Sequence, residues 1–143
     1  MFHNAKKFNK PIGNWNISNV TNIGCMFFGA FNFNQPIGSW DVSNVTNMRS
    51  IFCDTKNFNQ PIGEWDIRNA KDIGCMFYNT EKFNQPIGDW DVSNVTDMSW
   101  MFYNSNFNQD LSRWKINNKA KVTEMFYNCS IEEKYKPKKI KIK

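Results

Sequence analysis

Apolar and polar residues alternate at Trp15-Asn16-Ile17, and the same word returns at Trp40-Asp41-Val42, Trp65-Asp66-Ile67, Trp90-Asp91-Val92 and Trp114-Lys115-Ile116. A period of two in a short stretch of aromatic and β-branched residues predicts a strand with one buried face. Ser18-Asn19 then gives a helix start, and Val20, Ile23, Met26 and Phe27 fall on one face of a short helix. Asn19 with Asn22 three residues on offers a local cap, with Asp72 and Asp97 in the second place further along. A Gln-Pro-Ile-Gly stretch returns the chain, since proline fixes φ and glycine tolerates positive φ at a tight corner.

The pattern is one unit repeated. Phe8, Phe33, Phe58 and Phe83 are 25 residues apart and Phe107 follows after 24; the Trp15 and Ile12 columns keep the same step. Gly13, Gly38, Gly63 and Gly88 repeat too, with Ser112 in the fifth place. Five units cover residues 8–129. Residues 1–7 read as the end of a partial unit, because Met1 and Phe2 lie 25 before Met26 and Phe27. A fragment of a longer array and a degenerate cap both account for that start. Residues 130–143 form a basic tail.

One strand and one short helix cannot bury both apolar faces alone, whereas stacked units build a continuous core. The expected fold is therefore α/β: a solenoid with one short parallel strand and one short helix per 25-residue unit, strands about 4.8 Å apart. The unit P-I-G-x-W-D-V-S-N-V-T-x-M-x-x-M-F resembles the BspA-like leucine-rich-repeat surface proteins, including the domain of unknown function described in mycoplasma lipoproteins. It departs from leucine-rich repeats in placing Asn one residue earlier and Trp at a Leu position. The resemblance implies a right-handed solenoid, cell-surface or secreted, used for adhesion to a protein partner or host surface component, with no catalytic residues.

Charge sharpens this picture. The chain of 143 residues carries a formal +5, but residues 134–143 hold six lysines and no acid, leaving 12 basic against 13 acidic side chains elsewhere. A nearly neutral body with a basic tail weakens any inference to nucleic acid. Mean hydropathy is −0.63, and no apolar run reaches the ~18 residues of a membrane span. The first ten residues lack the apolar core of a signal peptide. Aromatics reach 16%, and most fall in the repeat columns, so they read as core rather than as a base- or sugar-stacking surface.

Candidate chemistry is sparse. His3 is the one histidine, there is no nucleophile–base pairing and no phosphate-cradling glycine loop, so no enzyme, cofactor or metal centre is expected. Cys25, Cys53, Cys75 and Cys129 read as free, mostly buried thiols; Cys25 and Cys75 share a register two units apart, beyond disulfide reach. The outward strand positions collect Asp41, Glu64, Asp66, Arg68, Asp89, Asp91, Arg113 and Lys115. Register places Arg113 beside Asp89 and Lys115 beside Asp91 as cross-strand pairs. This face reads either as a partner surface or as a solvated sheet. The tail, with Lys136, Lys138, Lys139, Lys141 and Lys143, reads either as a capping strand, since Ile140 and Ile142 continue the Trp114 and Ile116 register, or as an anion-binding arm. End-to-end self-association is a third reading.

Overall fold

The computed structural model describes residues 1–138. Successive units stack in register, but the α/β solenoid with a strand and a helix per unit does not form. Among the described residues there is no α-helix and no sheet; the one helical element is a 3-10 turn, Glu133–Tyr135. Strand pairing is reduced to isolated parallel bridges, Asn22 to Asn47 to Asp72 to Asp97 to Lys121.

The segment expected to be helical shows why. In unit two, the N–H groups of Met48, Ser50, Phe52 and Asp54 donate to carbonyls of the next unit, at Asp72 (2.9 Å), Gly74 (2.9 Å), Met76 (3.1 Å) and Tyr78 (3.0 Å). The intervening N–H groups of Ile51, Cys53 and Thr55 close local turns onto Met48, Ser50 and Phe52. Every fourth residue takes a left-handed conformation, as at Ser50 (φ 58°) and Asp54 (φ 57°). An α-helix would consume all these donors within the unit. The turn ribbon instead spends half of them on its neighbour, and it keeps Ile51 and Phe52 inward, as a helix would. The inward spacing is thus shared by both structures, and donor use separates them. Asn22, Asn47, Asp72 and Asp97 cap no helix: each accepts the N–H two residues on, at Gly24, Arg49, Gly74 and Ser99, an Asx turn.

The expected strand is replaced by side-chain bonding. Trp40 N–H and Val45 N–H close turns onto Ile37 and Val42. Between units the seam is held by the Trp40, Trp65, Trp90 and Trp114 indole N–H groups, which donate to the Ile12, Ile37, Ile62 and Ile87 carbonyls at 3.0–3.1 Å. Asn44, Asn69 and Asn94 amides donate to Ser18, Ser43 and Arg68 carbonyls. Asn9, Asn34, Asn59, Asn84 and Asn108 form a ladder, each Oδ1 accepting the backbone N–H of the residue above, ending on Glu132. Buried polar groups need partners, and no buried side-chain polar atom is left without one among the described residues.

The core is two columns of stacked phenylalanines. Phe2, Phe27, Phe52, Phe77, Phe102 and Phe126 succeed one another at centroid distances of 5.5–5.9 Å. Phe8, Phe33, Phe58, Phe83 and Phe107 run beside them at 5.7–6.1 Å. Residues 130–138 begin a further layer: Ile131 is buried, and Leu111 N–H donates to the Tyr135 carbonyl at 2.8 Å. The expected capping strand of Ile140 and Ile142, with Lys139, Lys141 and Lys143, lies outside the described residues.

Candidate functional site

The Pro-Ile-Gly-x corner sets one wall of the stack. Gly13, Gly38, Gly63 and Gly88 sit beneath the carbonyl of the next unit's Pro36, Pro61, Pro86 or Asp110, where a Cβ would lie 2.5–2.6 Å from the oxygen. Their φ values are not left-handed, so close approach rather than turn geometry requires glycine there. A groove of about 500 Å³ runs along this column, crossing units two to five. Glu64, Asp89, Asp110 and Arg113 line it. A shallower depression of about 380 Å³ continues past Asp89 and Asp91 to Lys115.

The outward residues read from the sequence lie on this side, on turns rather than on a sheet. Asp41, Glu64, Arg68, Asp89, Asp91, Arg113 and Lys115 are exposed and Asp66 is half-buried. The Arg113 guanidinium pairs with Asp89, as register required. Lys115 shares a depression with Asp91, but makes no ion pair with it among the described residues. Arg68 instead pairs within its own unit, donating to both Asp66 oxygens at 2.9 and 2.8 Å.

Asp41, Asp66 and Asp91 of one column, and Asp110 at the proline position of unit five, are each tied to the residue two positions on. Hydrogen bonds from the Ser43 hydroxyl and backbone hold Asp41 below the usual carboxylate range. Ser93 does the same for Asp91, and Ser112 for Asp110. Arg68, by side-chain and then backbone hydrogen bonds, lowers Asp66. A carboxyl depressed in the native state contributes stability above its unfolded value, and that contribution is lost as pH falls through the native value. The melting temperature is therefore expected to hold steady down to about pH 5 and to fall below about pH 4. Asn in place of Asp41, Asp66, Asp91 and Asp110 together should flatten that acid limb in thermal melts; an unchanged limb would assign it elsewhere.

A second charged site was not singled out in the sequence. Arg49 spans three units, with Nη1 3.2 Å from Asp72 and 3.4 Å from Asp97, and Nη2 3.9 Å from the Cys75 sulfur. Burial works against its charge, but Asp72, Cys75 and Asp97 outweigh it and raise its pKa. The legible signal was the run Asn22, Asn47, Asp72, Asp97 in one column, with a lone Arg beside it.

All four cysteines are free, but only Cys53 is buried; Cys25 is exposed and the other two half-buried, a correction to the mostly buried set expected. Burial pushes the Cys53 thiol up to about 12. It also raises Cys75 and Cys129, so none of these three is an activated nucleophile. Among the described residues no three His, Cys, Asp or Glu side chains are grouped to hold a metal ion. Of the tail, Lys136 is already engaged, 2.9 Å from Glu133 and over the Phe126 ring, while Lys138 is exposed. No helix among the described residues is long and apolar enough to cross a membrane.

These features define a repeat protein of stacked, turn-built 25-residue units. The family model described as "Mycoplasma protein of unknown function, DUF285" matches residues 1–79 and again 64–136, so the chain belongs to that family. No curated protein and no solved structure matches it.

Proposed function

We propose that the chain is a non-enzymatic binding module that takes a basic segment of a protein partner or host surface component along its carboxylate-lined groove. The observation that carries this reading is the groove itself, which crosses four units with three carboxylates in it, Glu64, Asp89 and Asp110, against the one guanidinium of Arg113 on Asp89. The carboxylates supply charge complementarity, which governs specificity and encounter rate. The likeness of the unit to BspA-like surface repeats supports adhesion at a cell surface as the setting.

The test uses Lys/Arg-rich and Asp/Glu-rich peptides in fluorescence anisotropy. Basic peptides are expected to bind, and Glu64→Lys with Asp89→Lys to weaken them by about tenfold or more. Melting should stay nearly unchanged, since exposed ion pairs contribute little. Binding that survives the double reversal, or that favours acidic peptides, rejects the reading.

A further inference from the structure

A row of charge lies outside the groove, on the links between units. The Asn32, Asn57 and Lys82 N–H groups donate to the Lys6, Phe31 and Lys56 carbonyls at 3.1, 3.1 and 3.3 Å. These bonds stack Lys6, Phe31, Lys56 and Glu81 one per layer, with Lys7 and Lys82 in the neighbouring column. Phe31 is half-buried, and the Lys6 and Lys56 ammonium groups lie over its ring at 5.2 and 5.8 Å. Lys56 also reaches Glu81 at 3.0 Å. Lys7 and Lys82 are exposed and make no ion pair among the described residues.

The row thus sets Lys6, Lys7, Lys56 and Lys82 against the carboxylate of Glu81. Asp54, two residues before Lys56, is half-buried and takes the Asn79 amide. Seam bonds and ring contacts hold Lys6 and Lys56 in place before anything binds, so little side-chain freedom is lost on binding. Positive charge therefore recurs at multiples of the layer spacing, roughly 5 Å. The ladder of Asn34, Asn59 and Asn84 separates this row from the carboxylate groove.

We infer that the row is a second site, independent of the groove, for a linear acidic polysaccharide. Lysine ammonium groups are compact charges that meet sulfate or carboxylate without a fixed fork geometry. A nucleic-acid strand bound without sequence preference stacks its bases on aromatic faces, and the ring of Phe31 is taken up by two ammonium groups. A membrane-surface site buries large apolar side chains. The exposed ones among the described residues are Met1, Trp15 and Tyr127, none of them in this row.

Fluorescence anisotropy with a labelled heparin fragment tests this. The chain used carries Gln at Lys138, Lys139, Lys141 and Lys143, which removes most of the tail's charge. Heparin is expected to bind it, with an affinity that falls as salt rises. Lys7→Gln with Lys82→Gln should weaken binding by about tenfold or more. Lys7→Arg with Lys82→Arg should retain it, which separates lost charge from lost fold, and melting curves of both pairs should match the parent. Glu64→Lys with Asp89→Lys, the pair that tests the groove, should leave heparin binding no weaker. Three results overturn the inference: no heparin binding by the chain with the neutralised tail, binding that the Gln pair leaves intact, or an oligothymidine or phosphatidylserine vesicle bound as tightly as heparin.

Discussion

Replacing Trp65 by alanine is expected to lower the free energy of unfolding by about 3–5 kcal/mol, the range for deleting a buried aromatic side chain. Trp65 is 3% exposed, stacks against Phe52 at 6.2 Å and donates its indole N–H to the Ile37 carbonyl at 3.0 Å. Its loss opens a cavity in the middle of the stack and orphans a carbonyl in the seam between units two and three. Trp15 is the control. It is 39% exposed, and its only ring partner among the described residues is Phe2, tilted at 6.0 Å. Trp15→Ala should cost about 1–2 kcal/mol, the value of partial apolar burial. Urea midpoints of the two variants decide it. Equal small losses would mean that the indole column does not hold the seams.

Gly63→Ala carries the second large effect, about 1–3 kcal/mol for forcing an added methyl into a packed contact. The new Cβ would stand 2.6 Å from the Pro86 carbonyl oxygen, a backbone atom that cannot rotate away. Units three and four would have to separate, straining the neighbouring Trp90-to-Ile62 bond. Ser112→Gly should cost about 1 kcal/mol or less, because no further Pro-Ile-Gly corner follows that position and the change removes only the side-chain bond to Asp110 and some backbone order. A calorimetric scan that finds Gly63→Ala unchanged would remove close approach as the reason for the glycine column.

The repeat, its columns and its core were legible because stacking puts identical positions in contact. Phe27, Phe33 and Trp40 are buried where their register placed them. The secondary structure was not legible. A period of three and four marks which residues face inward, and it does not report whether an N–H is spent inside the unit or on the next one. The left-handed residues disguised this further. Gly29 is the sole glycine among them, while Cys25, Cys75, Trp100 and Glu124 are residue types that rarely adopt positive φ. The W-x-V alternation misled for a related reason: Asp41 and Asp91 draw the chain into Asx turns before a ladder can form. On the candidate face, opposite charges one repeat apart gave the Arg113–Asp89 pair. The bidentate Arg68–Asp66 pair was not singled out, although residues two apart share a face in a strand as well; register compares positions one repeat apart and not within a unit.

The Asn9 ladder has a consequence for how such a gene can change. Nearly every seam joins equivalent positions of adjacent units, so unequal crossing-over that inserts or removes 25 codons would regenerate the same hydrogen bonds at the new junction. Arg49 is the exception, since its reach to Asp97 ties unit two to unit four. Length can therefore drift by whole units with the recurring bonds intact, whereas pairs particular to certain units, such as Arg113 with Asp89 and Arg49 with Asp72 and Asp97, would be lost with either unit.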